Sequence, residues 1–72
     1  MKQPNASKDA IMIAMEQWIM GRNAVRNKKI FYEHLFLGMT YEQIAECHDM
    51  SSRQIQNVIR DCEKKVFTHL PG

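Results

Sequence analysis

The fold is decided by residues 40–54, which read TYEQIAECHDMSSRQ. Thr40-Tyr41-Glu42-Gln43 and Ser51-Ser52-Arg53-Gln54 both match a capping box, in which a hydroxyl accepts from the backbone N–H three residues later and a Gln side chain returns the bond. Each box marks the start of a helix. Two helix starts eleven residues apart, joined by a short turn at 48–50, predict a helix-turn-helix arrangement.

Apolar residues recur at helical spacing along the whole chain, and the alternation typical of strands is absent. Ser7 is a candidate N-cap, while Gly21 and Gly38 follow apolar runs as helix stops. We therefore expect an all-α domain over residues 7–70, preceded by a disordered tail at 1–6, with the turn-containing motif at 40–69. Its four helices should cover about 8–20, 23–37, 41–47 and 52–69.

The apolar faces predict how these helices pack. The second helix carries two stripes, one that includes Val25 and Phe31 and another formed by Ile30 and Leu37, which is typical of a helix placed between neighbours. We expect it to be central, with Trp18 of the first helix packed against it. The buried face of the fourth helix should consist of Ile55, Val58, Ile59, Cys62, Val66 and Leu70.

The size and composition exclude several classes of protein. A chain of 72 residues, 44% hydrophobic and 25% charged, has room for one small domain and is neither disordered nor of low complexity. An elaborate enzyme cleft is not expected in so small a domain. Free cysteines, together with the lack of a secretory signal or a membrane-length apolar run, predict a cytoplasmic protein without membrane binding.

The net charge of +2 is small, but it is segregated along the chain. Residues 22–38 carry four bases and one acid, residues 39–50 carry three acids and no base, and residues 51–72 carry four bases and two acids. This distribution predicts a basic face and, beside it, an acidic surface formed by residues 39–50, which we call the acidic shoulder.

The outer side of the fourth helix has the chemistry of DNA recognition. Its stripe contains no acid and consists of Arg53, Gln56, Asn57, Arg60 and Lys64. Arg pairs with the guanine O6/N7 edge, and Gln or Asn with adenine N6/N7. We expect base reading by Ser52, Arg53, Gln56, Asn57 and Arg60, and phosphate contacts by Thr40, Ser51, Lys64, Arg22, Arg26, Lys28 and Lys29. The alternative interpretation of the stripe is an ordinary solvated face.

Residues 23–70 resemble region 4 of bacterial sigma factors, through LGMTYEQIAE at 37–46 and MSSRQI at 50–55. LuxR-type helix-turn-helix regulators share the pattern more distantly. The resemblance implies reading of the −35 promoter element and docking on the β-subunit flap of RNA polymerase. His48 stands where the family prefers Leu, and Asp49 replaces the turn glycine, although Asp tolerates the left-handed conformation. Because no other sigma region is present, we expect a stand-alone regulator or an excised domain.

A second hypothesis is a protein-interaction module that binds RNA polymerase or forms a homodimer without reading DNA. Ile13, Met20 and Phe67 fall outside the buried faces and are its candidate partner surface.

Four residues carry side chains that can bind zinc, namely Cys47, His48, Cys62 and His69. Their spacing does not match known ligand sets, since adjacent helical residues such as Cys47 and His48 point about 100° apart. Nothing in the sequence indicates an oxyanion hole or a substrate cleft. We expect no metal, no cofactor, no small-molecule substrate and no catalysis.

Overall fold

The structure of the protein is a computed structural model, which describes residues 7–70. The predicted tail at 1–6 and the chain end at 71–72 lie outside the described residues. The described residues form four helices and no strand, which confirms the all-α class for this part of the chain. The helices are α1 Lys8–Trp18, α2 Ala24–Leu35, α3 Tyr41–His48 and α4 Ser52–Thr68.

Side-chain caps start three of the four helices at the predicted residues. The Ser7 hydroxyl accepts from the Ala10 N–H at 3.1 Å before α1. Both predicted capping boxes are present, at Thr40 with Gln43 and at Ser51 with Gln54. In each box the backbone N–H of the third residue donates to the hydroxyl at 3.1 Å, and the cap N–H donates to the Gln side chain at 2.9 Å. The starts of α3 and α4 are therefore set by local hydrogen bonds.

The first two helices are shorter than predicted. α1 ends at Trp18, because Ile19 adopts an extended conformation that keeps its side chain buried, at 3% exposure, as the chain turns away. Gly21, at a φ of 103°, supplies the positive φ that this turn requires. α2 ends at Leu35, before Phe36 and Leu37.

The helix at the centre of the described domain is α4, so the prediction that α2 is central is wrong. α4 packs against each of the other three helices through Ile55, Ile59, Cys62 and Val66, all of which are buried. Its predicted apolar face is confirmed, with Val58 and Leu70 partly buried at the edge of the core. The long, continuous aliphatic face of α4 can pack against three helices at once, whereas the apolar face of α2 is interrupted and cannot.

Two residues that were expected to be buried, one in α1 and one in α2, lie elsewhere. Trp18 stacks on His69, just after α4, with ring centroids 3.6 Å apart, and it does not anchor α1 against α2. Val25, expected on a buried stripe, is 81% exposed. Helical spacing places both residues on an apolar side but does not say which side meets a neighbour.

A tight turn joins α3 to α4. Asp49 adopts the left-handed conformation, at φ 56° and ψ 47°, as the sequence predicted for this non-glycine turn residue. The N–H groups of Asp49 and Met50 both donate to the Ala45 carbonyl. Ala45 itself is 7% exposed and belongs to the buried core.

Candidate nucleic-acid interface

The outer face of α4 carries the predicted stripe. Arg53, Asn57, Arg60 and Lys64 are exposed, and Gln56 is half-buried at the edge of the stripe. None of these five side chains forms a hydrogen bond or ion pair with another residue of the described range 7–70. From Arg53 to Lys64 the stripe extends over roughly 16 Å, which is about three helical turns. Two guanidinium groups, two amides and one ammonium are therefore available to a ligand.

The acids on α4 lie beside the stripe, not within it. Asp61 is one of them, and its carboxylate pairs with the Lys65 ammonium at 3.0 Å, one turn further along. Glu63 is half-buried on the other flank. Arg53, Arg60 and Lys64 thus form a run of three positive charges with no carboxylate between them.

An acidic groove lies next to the first turn of α4. Glu42, Glu46 and Asp49 line a shallow groove of about 430 Å³ together with Ala45, Met50 and Ser52. The acidic shoulder that the charge distribution predicted is therefore placed at one end of the stripe. Because a phosphate near Ser52 would meet three carboxylates, Ser52 is the least favourable of the five proposed base-reading residues.

The cations before and within α2 do not all join the stripe. Arg22 is exposed in the turn before α2, whereas Arg26 is half-buried and donates through Nε to Asn27 Oδ1 at 3.1 Å. The Lys28 ammonium already pairs with Glu16 of α1 at 3.0 Å. Lys29 lies about 160° around α2 from Phe31, whose ring packs on Phe67 of α4. The structure therefore places Lys29 away from the side of α2 that meets α4, and Lys28 is already occupied by Glu16.

The hydroxyls predicted to meet phosphates already cap helices. Thr40 and Ser51 are exposed, and each hydroxyl oxygen accepts one backbone N–H. Their hydroxyl protons and the first-turn N–H groups can still donate to an anion. The acidic groove is lined by residues of α3 and by Met50 and Ser52, the two neighbours of Ser51. Phosphate contacts by Thr40 and Ser51 therefore stay predictions.

A buried hydrogen-bonded pair, which the sequence analysis did not predict, joins α2 to α3. The His48 imidazole donates from Nε2 to Glu33 Oε1 at 2.9 Å, and both side chains are largely buried. The Glu33 carbonyl also accepts the Met39 N–H at 3.1 Å, which holds the loop between the two helices. The signal was available in the sequence, because Glu33 lies between Ile30 and Leu37 on the same helical side. This pair fixes α3, and thereby the turn that leads into α4.

The predicted partner surface is exposed but not continuous. Ile13, Met20 and Phe67 are 57%, 64% and 43% exposed. Ile13 faces a groove of about 220 Å³ that it shares with His69 and Leu70. Phe67 instead packs on Phe31 of α2, with ring centroids 6.0 Å apart. The structure therefore does not bring Ile13 and Phe67 to one groove.

The four residues whose side chains can bind zinc lie in different environments. Cys47 is exposed, whereas burial and the neighbouring Asp61 carboxylate raise the pKa of Cys62 to about 11. His48 is bonded to the buried carboxylate described above, and His69 donates from Nδ1 to the Lys65 carbonyl at 2.7 Å. Within residues 7–70, no three His, Cys, Asp or Glu side chains are grouped as metal ligands.

None of the helices in the described part of the chain combines the length and the apolar character needed to cross a membrane.

Comparison of the chain with protein-family models, with curated proteins and with solved structures gave no match.

Proposed function

We propose that the protein binds duplex DNA through the outer face of α4, with α3 and α4 acting as a helix-turn-helix of the sigma region 4 kind. The observation that carries this proposal is the row of exposed Arg, Asn and Lys side chains on α4, which have no partner among residues 7–70 and no acid between them. The opposite face of the same helix is buried in the core, so the row has a fixed orientation. A role in transcription regulation or initiation rests on the resemblance of residues 37–55 to sigma region 4.

The geometry of α4 supports reading by the side chains of its first turns. Arg53 can donate two hydrogen bonds to a guanine edge, and Asn57 can pair bidentately with adenine one turn later. Arg60 extends the row, and Lys64 is suited to a phosphate as a point charge. Gln56 is half-buried at the rim of the row, and its amide suits an adenine edge in the major groove. The acidic groove repels phosphates from Ser52, which favours contacts from Arg53 onward.

Salt dependence tests the proposal. Fluorescence anisotropy with labelled duplexes should give an affinity that falls with salt, because cations released from DNA drive the binding. If the protein neutralises about five phosphates, the slope of log K against log salt is about −4.5. Duplexes selected from a random pool would then define the preferred sequence.

Variants separate base reading from phosphate contacts. Arg53→Ala and Gln56→Ala should reduce the preference for the selected duplex, at a cost of about 1–3 kcal/mol for a bidentate contact. Lys64→Ala should weaken binding to all duplexes alike and reduce the salt slope by about 1. Lys8→Ala on α1 removes one positive charge from another surface and is the matched control. Negligible binding of the wild type to every duplex, or an equal loss in the Lys8 control, contradicts the proposal.

A second candidate function is favoured by the exposure of Ile13 and Met20, each more than half accessible. In this alternative the domain is an interaction module that binds RNA polymerase or a second copy and does not read DNA. Light scattering of the wild type and of Ile13→Asp distinguishes it. A dimer that does not bind DNA and that dissociates in Ile13→Asp would favour the module.

A further inference from the structure

The outer side of α2 carries a surface that the proposed DNA contact does not use. Val25, Lys29, Tyr32 and Phe36 follow one another at i, i+4, i+7 and i+11, so they lie along one side of the helix, and Phe36 caps its end. Together with Lys8 of α1 we call them the aromatic–lysine face. Val25 and Lys29 are exposed, whereas Tyr32 and Phe36 are half-buried and pack partly against the core. Val25 is 81% exposed, so its apolar side chain buries little area within the described domain.

Lys8 and the two aromatic rings form an ordered group on this face. The Tyr32 and Phe36 rings lie with centroids 5.1 Å apart. The Lys8 ammonium lies 5.4 Å from each ring centroid and donates to the Tyr32 hydroxyl at 3.3 Å. A cation held over two rings keeps its charge at the surface while its stem covers apolar area. The aromatic–lysine face therefore combines apolar area with positive charge.

No described carboxylate of α2 neutralises this face. Glu33 is the one acid of α2, and it is buried against His48 on another side of the helix. Glu16 of α1 is occupied by Lys28. Asp9 follows Lys8 in the first turn of α1, but neither Lys8 nor Lys29 forms an ion pair among residues 7–70, so both ammonium groups can pair with a partner.

We propose that the aromatic–lysine face binds an acidic amphipathic helix of a protein partner. From Val25 to Phe36 the face is roughly 16 Å long, which matches three turns of such a helix. Apolar side chains of the partner cover Val25, Tyr32 and Phe36, and its carboxylates pair with Lys8 and Lys29. A second copy of this chain is a poorer occupant, because a two-fold contact would place the Lys29 residues of both copies near each other. The inference does not depend on DNA binding.

Two matched peptides test the charge of the partner. Both have a leucine face, flanked by Glu in one peptide and by Lys in the other, and each is titrated into the isotope-labelled full chain. We expect the Glu peptide to shift the NMR signals of Val25, Lys29 and Tyr32, and the Lys peptide to leave them unchanged. Lys8→Glu and Val25→Asp should each weaken the Glu peptide at least about tenfold, which corresponds to about 1.4 kcal/mol. Gln17→Asp, an exposed α1 position with the same charge change as Val25→Asp, is the control and should bind normally.

The outcomes also separate this inference from the proposed function. Equal binding of both peptides, or the absence of NMR shifts at the aromatic–lysine face, overturns this inference. It is also overturned if phosphatidylserine vesicles or duplex DNA shift the signals of this face and the Glu peptide does not. Unfolding curves of Val25→Asp should match the wild type, so a lost interaction cannot be attributed to misfolding. Lys8→Glu and Val25→Asp should leave DNA binding through α4 intact. Failure of all duplexes to bind refutes the DNA proposal and leaves the peptide result unaffected.

Discussion

Replacing Glu33 by Ala removes one half of the buried pair that fixes α3 against α2. The Glu33 and His48 side chains are 11% and 13% exposed, and their contact is 2.9 Å long, so water screens the pair little. Removal of Glu33 leaves the His48 ring buried without its hydrogen-bond partner, which typically costs about 1–3 kcal/mol. A domain of this size has a total stability of about 4–11 kcal/mol. We therefore expect Glu33→Ala to lower the free energy of unfolding by about 1–3 kcal/mol, a substantial part of that total.

A double-mutant cycle isolates the pair from the packing of each side chain. His48→Leu alone leaves the Glu33 carboxylate buried and unpaired, so it should be about as damaging as Glu33→Leu alone. Glu33→Leu with His48→Leu removes both polar groups, and buried pairs replaced in this way are often neutral or more stable. We expect the double variant to be at least as stable as the wild type, with a coupling energy of several kcal/mol.

Urea unfolding at neutral pH, followed by circular dichroism, measures all four corners of the cycle. Glu42→Ala, on the exposed side of α3, is the control and should change the free energy of unfolding by less than about 0.5 kcal/mol. The reasoning is refuted if both single variants lose less than about 1 kcal/mol and the coupling energy is near zero. In that case the pair is solvated and does not hold α3.

Two further predictions concern single residues. Burial raises the pKa of Cys62 from 9.0 to about 11, so alkylation at pH 8 should modify the exposed Cys47 readily and Cys62 only on unfolding. Because the folded state holds the Cys62 proton more tightly, the contribution of the protonated thiol to stability is complete below pH 9 and is lost as the pH rises from 9 to 11. A Cys62→Ala variant whose stability falls equally over that range would contradict this prediction. Asp49→Gly relieves the left-handed strain at φ 56° and should raise the free energy of unfolding by up to about 1 kcal/mol in thermal denaturation, whereas Asp49→Ala should lower it.

Much of the candidate site could be predicted because its determinants are local. The capping boxes at Thr40 and Ser51 depend on residues three apart, and the outer face of α4 follows from the helical repeat once its start is known. Arg53, Asn57 and Arg60 are exposed for that reason. Their lack of partners within residues 7–70 could not be predicted, because it depends on which side chains the other helices bring near.

Lys28 and Ser52 illustrate the part that could not be predicted. Lys28 belongs to a basic block in the sequence, yet α1 places Glu16 within 3.0 Å of it. Ser52 begins α4 as expected, but α3 and the turn contribute three carboxylates to the groove that Ser52 lines. Each outcome depends on residues that are distant along the chain or on another helix, so no local pattern contains it.

The sequence by itself determined where α3 and α4 begin, the left-handed turn at Asp49 and the two sides of α4, since hydrogen bonds and periodicity within a few residues control these features. Only the tertiary structure decided that α4 is the central helix, that Trp18 stacks on His69 and that Glu33 and His48 form a buried pair. Those results depend on which faces bury the most apolar surface together, and this is a property of the whole domain.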